Sequence, residues 1–560
     1  MNMIQPKRFC YEGPIQSDRH YAVPALPRLR GVLELIDQGE YFSVQGPIQC
    51  GKTTSVLALV DHLNKDGSEY VALRCGLNGL SGASGPKDFG QGFVTMIRRD
   101  LSASKVGYLK NMGEDDYFWE ELKDLAYFSS RPIGVTLSGL AGCLERKMVV
   151  FFDDFRDLPD SVLSAFLSQL ETGLKTKYGE RFPHSLALVG LGNVMGHAAQ
   201  RRPLSKTQGF SIPPGLFRQT LTLSYFTPSE LKLLYAQHTQ ASGQPIDDLA
   251  VQRVWRWTKG QPRLVNALVG IVNDEILKND YGKTVTADRV DQAAYLVMNS
   301  LGRHMDPIWL ELAGQGLREG YGPTLAFSLL APGGQKKLTS FPDGDDSEKK
   351  LFVDDLNYCL DLGLLKGGDA IGPANPIYAS FIVRILYQMV QRWLPKINKS
   401  QFKTRHKTYM DKILKEFQAL WSNDFNNFLN RPFPGLEPVP AVFLTAFINA
   451  ILSPLTSIVS VFAEHSGIVY AEVNRSRENF PLALVTHHTQ VRAAKGQEFL
   501  LGHMDRLGAK VGWLVFFEQK PAKNANRQLS PQILTIPSGQ TIRVYHCRKK
   551  LETRPKAHSR

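Results

Sequence analysis

The sequence YFSVQGPIQCGKTTSVLALVDHLN, residues 41–64, joins a short apolar run to a helical one through a glycine-bounded loop. Gly46 is followed by four residues and then by Gly51-Lys52-Thr53, which fits G-x-x-x-x-G-K-[ST], the phosphate-binding loop. The glycines let the backbone curl until its N–H groups converge on phosphate oxygens. Lys52 is placed to reach the outer phosphates, and the Thr53 hydroxyl to ligate Mg²⁺. YFSVQ before the loop reads as a strand. After it, Val56, Leu57, Leu59, Val60 and Leu63 form one helical stripe. Strand, loop and helix are the context this motif requires. The expected phosphate contacts are Gly46, Pro47, Gln49, Cys50, Gly51, Lys52, Thr53 and Thr54.

Outward from this loop, short apolar segments alternate with helical patterns as far as residue 226. The expected strands are YFSVQ, YVALRC (70–75), KMVVFFDD (147–154), SLALVGL (185–191) and LTLSYF (221–226). Such alternation predicts an α/β fold with a parallel sheet covered by helices on both faces. From Pro228 to about residue 299 the pattern is helical. It opens on Thr227 and Glu230, which have the spacing of a capping box. Residues 300–395 mix short helices with Gly-rich turns, and 409 onward forms a last α/β unit.

A phosphate-binding loop needs an acidic partner. KMVVFFDD ends in Asp153-Asp154, where the first carboxylate would hold the Mg²⁺ hydration shell and the second would activate the attacking water. A glutamate is common at that second position. Aspartate is one methylene shorter, and displacing a base by ~1 Å lowers a rate about 100-fold. The same pair of residues also suits a helix cap. Asn193, after the fourth strand, stands where a γ-phosphate sensor could sit, or is simply a polar strand end. Arg263, in KGQPRLVNAL, stands at a helix start from which a lid could touch phosphate. Lys52, Asp153, Asp154, Asn193 and Arg263 are therefore the candidate catalytic set, with Thr53 and Asp153 as Mg²⁺ ligands.

The chain has 560 residues, enough for three to four domains of about 150. Its net charge of +13 favours an acidic partner such as DNA or another nucleic acid. Its six cysteines are scattered, without a CxxC pair or zinc spacing, as expected of a reduced, cytoplasmic protein. The N-terminus lacks a signal-peptide core. AVFLTAFINAILSPLTSIVSVFA (441–463) carries no charge and has the length of a membrane span. Its central Asn449, Ser453, Pro454, Thr456 and Ser457 instead favour a buried helix, a break at Ser-Pro and a strand, so no membrane partner is expected.

These segments together resemble a family of prokaryotic AAA-like ATPases, related to the STAND and archaeal-type ATPases, that end in a PD-(D/E)xK nuclease-like domain. The resemblance runs nearly end to end, through GPIQSDRHYAVPALPRL, the loop region, LSYFTPSELKLLYAQHTQASGQPI, TKGQPRLVNALV, DDLNYCLDLGLLKGGDAIGPANPIYASFI, YMDKILKEFQALW and GQEFLLGHMDRLGAKVGWLVFFE. It implies a P-loop ATPase core with its N-terminal lead-in over 1–226 and a helical lid over 227–299. A winged-helix-like domain over 300–395 and a basic linker over 396–408 follow. The PD-(D/E)xK-like, restriction-endonuclease-like α/β domain would span 409–547, with a basic tail over 548–560. ATP and Mg²⁺ are the implied cofactors. A homo-oligomer is also implied, although no arginine finger can be assigned.

The sequence departs from the family pattern at informative places. Asp153-Asp154 replaces Asp-Glu. Gly190-Leu191-Gly192-Asn193 replaces Gly-Val-Arg-Asp, losing an arginine. In the terminal domain the metal-binding Asp falls on Tyr470, the Glu on Val485 and the Lys on His487; Gln497 is kept. Glu472 and the His487-His488 pair are a poor substitute, because adjacent strand residues point to opposite faces. The expectation is ATP binding with slow hydrolysis, or an ATP-dependent conformational switch, acting on a nucleic-acid or protein partner. The alternatives are an ATPase-coupled DNA nuclease and a non-catalytic binding module.

Overall fold

The computed structural model describes residues 7–190, 217–326, 346–391, 401–423 and 440–550, apart from 17, 103–106, 130, 156–157, 177–181, 218, 300, 319–321, 323–324, 368–370, 403–408, 453–455, 463–467, 476–477, 486–489, 523–530 and 538. Asn193, His487 and most of the expected basic linker and tail lie outside these. The chain divides into two compact units. One comprises Met1–Trp255, Lys259–Thr286 and Asp361–Gly363; the other comprises Arg256–Thr258, Ala287–Leu360 and Leu364–Arg560.

The first unit is built on strands β1 (Tyr41–Gln45), β2 (Tyr70–Gly76), β3 (Lys147–Asp153), β4 (Ser185–Val189) and β5 (Gln219–Thr222). They pair in the order β2-β3-β4-β1-β5, and every pairing is parallel. Both faces are covered, so β1, β3 and β4 are buried nearly throughout rather than alternating, whereas the edge strand β5, QTLT, is largely exposed. In β3, Val149 and Phe151 join the core shared with Val56, Leu59 and Ile36. Val150 and Phe152 join the opposite core, with Phe89, Phe93, Phe166 and Trp119. The Phe152 and Phe166 rings meet edge to face at 5.0 Å. Burying each such ring contributes about 1.5–3 kcal/mol.

Helices α1 (Val32–Asp37) and α2 (Lys52–Leu63) cover one face. On the other lie α3 (Pro86–Ser102), α4 (Gly107–Glu114), α5 (Asp116–Phe128), α6 (Pro132–Cys143) and α7 (Asp160–Thr176). The crossover from β2 to β3 thus carries α3 to α6. The fifth strand lies earlier than LTLSYF suggests. Leu223 N–H still donates to Gln45 O at 2.8 Å, but Phe226 N–H donates to Gly260 O at 2.8 Å, so 223–226 leaves the sheet toward the lid.

The segment expected as a lid consists of α8 (Pro228–Ser242), α9 (Asp248–Thr258) and α10 (Pro262–Ile271). The capping box forms as the spacing suggests. Glu230 N–H donates to Thr227 Oγ1 at 3.2 Å, and Thr227 N–H donates to Glu230 Oε2 at 2.6 Å. Gln261 caps α10 by accepting the Leu264 N–H at 2.6 Å. The N-terminal segment is tied to α8. Gln237 exchanges side-chain bonds with both backbone groups of Ala22, and Phe9 and Tyr21 pack around the His238 ring.

The second unit holds α11 (Ala287–Asn299), α12 (Leu301–His304), α13 (Pro307–Arg318), α14 (Asp346–Asp361), and a two-stranded antiparallel ribbon of β6 (Leu365–Lys366) and β7 (Gly372–Pro373). α15 (Pro376–Gln391) follows, capped by Asn375 Oδ1, which accepts the Tyr378 N–H at 2.9 Å. Further helices are α16 (Met410–Asn423), α17 (Pro440–Leu452) and α18 (Gln490–Leu507). A mixed sheet orders its strands β12-β13-β11-β10-β9-β8. These are β8 (Thr456–Phe462), β9 (Ile468–Arg475), β10 (Glu478–Val485), β11 (Val511–Ala522), β12 (Gln532–Thr535) and β13 (Thr541–Lys550). The uncharged 441–463 segment forms α17 and β8. Among the described residues no helix is long and apolar enough to cross a membrane.

Candidate nucleotide site

The strand order brings the carboxyl ends of β1 and β3 to either side of β4. That leaves roughly 10 Å between them, two strand spacings, at the mouth of the loop. Between β1 and α2 the chain turns through Gly46, whose φ is +151°. A Cβ there would stand 2.5 Å from Leu223 O and 2.8 Å from Cys50 Sγ, so only glycine fits. Gln49 is also left-handed, with φ +61°. The loop ends in Gly51, and Lys52 opens α2, a twelve-residue helix whose free N–H groups and dipole favour an anion. The Lys52 ammonium donates to Gly46 O and Pro47 O, each at 2.8 Å. It therefore lies inside the loop.

Thr53 and Asp153 come together across 100 residues of sequence. Thr53 Oγ1 donates to Asp153 Oδ2 at 2.8 Å. Two hard oxygen donors at the helix start suit Mg²⁺, and this pair would hold it, directly or through its waters. Thr54 accepts the Ile15 N–H at 3.4 Å, joining the N-terminal segment to α2. Asp154 follows with φ +59°, a left-handed conformation that aspartate tolerates better than most residues.

Three residues at the site escape sequence reading. Arg74, at the end of β2, donates from Nε and Nη2 to Asp153 Oδ2 at 3.0 and 2.9 Å, and from Nη2 to Asp154 Oδ2 at 2.8 Å. Arg28 donates to Cys50 O at 3.4 Å and Ser224 O at 2.5 Å, and pairs with Glu230 at 3.2 Å. Burial pulls the Arg28 guanidinium below its usual value, and Glu230 opposes this. Gln261 Nε2 reaches Gln49 Oε1 at 3.4 Å, linking the lid to the loop. Arg263, the residue expected at phosphate, is the second residue of α10, and its charge acts on the Cys10 and Tyr11 side chains. Strand neighbours would have had to be known for Arg74 to be seen. Only its place at a strand end was legible.

The segment Asp361–Gly363 also reaches this loop. Ile48 N–H donates to Asp361 O at 3.2 Å. Gly363 has φ +67°, and a Cβ on it would lie 2.2 Å from Tyr225 Oη and 2.8 Å from Pro47 Cβ.

In the second unit, Tyr470 pairs in register with Ala483 and Val485 with Ile468. Val485 is fully buried in an apolar cluster with Leu500, Met504, Leu514 and Phe516. Asp411 of α16 accepts Tyr545 Oη at 2.7 Å and Trp513 Nε1 at 3.1 Å, and pairs with Arg543. This polar knot fixes α16 on β11 and β13.

No family model matches the chain, and no curated protein matches it. Solved structures with a similar course share little sequence identity with the chain. The Walker-type ATPase of Pyrococcus abyssi is 11% identical over 68% of this chain and 98% of its own, with a TM-score of 0.41. The RuvB Holliday junction branch migration motor of Thermotoga maritima is 15% identical over 61% of this chain and 88% of its own, at 0.32. Cdc6p from Pyrobaculum aerophilum is 14% identical over 66% of this chain and 96% of its own, at 0.32. The P-loop NTPase arrangement rests here on the strand order and the loop themselves.

Proposed function

We propose that the chain binds ATP with Mg²⁺ and hydrolyses it slowly, using the bound state as a conformational switch on a nucleic-acid or protein partner. The observation that carries this reading is the 2.8 Å bond between Thr53 and Asp153, made where Lys52 opens a helix behind a glycine-bounded loop. The loop N–H groups and Lys52 would bind the phosphates. Thr53 and Asp153 would hold Mg²⁺, which neutralises charge developing on the transferred phosphoryl group. Asp154 would orient the attacking water. Its short side chain and its bond to Arg74 favour slow turnover.

Net charge supports a nucleic-acid partner, and the helices around β6 and β7 support a winged-helix-like domain. The mixed sheet with α18 supports a PD-(D/E)xK-like domain that does not cleave, since Val485 offers only methyl groups where a metal-binding carboxylate is needed.

The test is ATP binding and phosphate release measured together on the wild type and on Lys52→Ala. Binding with turnover, both lost in Lys52→Ala, is the expected result. Tight binding without turnover would leave a nucleotide-gated scaffold. Absence of binding in the wild type would overturn the reading.

A further inference from the structure

The Asp153 carboxylate accepts four donors: the Thr53 hydroxyl, Arg74 Nε, Arg74 Nη2 and the Asp154 N–H. Its side chain is 4% exposed, and Arg74 spans from it to Asp154. A planar guanidinium with fixed donors suits this two-carboxylate bridge, whereas a lysine ammonium could serve only as a point charge. The positive charge that two adjacent carboxylates need is therefore supplied by the protein itself, from β2.

We infer that Arg74 balances the charge of the Asp153-Asp154 pair before Mg²⁺ arrives, so that this chain holds nucleotide phosphates with little dependence on Mg²⁺, the cation being needed for turnover. The inference rests on the nucleotide-binding reading of the same loop. A carboxylate already bridged to a guanidinium gains less from a cation, because the cation must compete with bonds of 2.8–3.0 Å. The guanidinium also leaves a positive charge beside the loop when no cation is bound. Turnover is a separate matter, since a bridged Asp154 is less available to orient water.

The experiment is ATP affinity in Mg²⁺ and in excess EDTA, by calorimetry or a fluorescent ATP analogue, for the full chain and for Arg74→Gln. The wild type is expected to change by less than about threefold on chelation, and Arg74→Gln to lose about tenfold or more that Mg²⁺ restores. Arg74→Lys, measured in the same way and checked by thermal unfolding, keeps a charge without the fork and should fall between them. It carries the comparison if Arg74→Gln does not fold. A wild type as Mg²⁺-dependent as the variants, with all of them binding ATP, overturns the inference and leaves the nucleotide reading intact. No ATP binding by the wild type in either medium removes both.

Discussion

At the scale of single residues, the site divides by how far in sequence each contact reaches. Gly46, Lys52 and Thr53 were legible because the loop is contiguous and its spacing is chemistry. Asp153 was legible because a strand that is buried on both faces and ends in carboxylates has few other uses. Arg74 and Arg28 were not, since each finds its partners through the strand order and the lid. Asn193, the expected sensor, lies outside the described residues. The residue that limits turnover in this reading is Asp154. Asp154→Glu extends the carboxylate by one methylene and is expected to raise phosphate release about tenfold, with ATP affinity unchanged. Because Asp154 has φ +59°, the same change should cost about 1 kcal/mol of stability, read by urea unfolding. An unaltered rate would remove Asp154 from the water-orienting role.

At the scale of elements, parallel strands were the easiest to read. β1, β3 and β4 are nearly continuous buried runs, as strands covered on both faces must be. The capping box of α8 was equally plain, because its two residues are three apart. β5 was misplaced by a few residues, since 221–226 is apolar for two reasons: its start pairs with β1 and its end turns to the lid. α8 also carries a pH-sensitive group. His238 is 1% exposed and bonds Gln244 Oε1 at 2.6 Å. Burial lowers its proton affinity, partly offset by the Gln244 bond. The unfolded chain protonates near 6.5 and takes up the proton first as pH falls. This contribution is therefore complete above that value and is lost below it. The unfolding midpoint should drop between about pH 7.5 and about pH 5.5, and drop less in His238→Gln. Equal drops in both proteins would assign the sensitivity to other groups.

At the scale of the molecule, the alternating first half and a last α/β unit were foreseen in outline; the mixed parallel and antiparallel pairing of that last sheet was not. How the chain divides was not, because a sequence shows linear segments and the compact units are not linear. The charge of +13 belongs to this scale, as the observation that favours nucleic acid. Binding to duplex DNA should weaken about 10²-fold or more between roughly 50 and 200 mM salt, as released counterions are repaid. A flat response in a salt titration of fluorescence anisotropy would exclude nucleic acid and favour a protein partner.

Asp361–Gly363 gives the polypeptide an unusual grammar. A carbonyl more than 300 positions downstream anchors Ile48, in the middle of the phosphate loop, and belongs to the first unit by its packing. No single cut can therefore release the first unit complete. A fragment ending near residue 286 would carry every motif residue and still lack part of its own loop support. During synthesis, the loop would wait for the later segment to emerge from the ribosome before reaching its final shape. For recombination between genes, the same clasp makes the two halves a set to be inherited together.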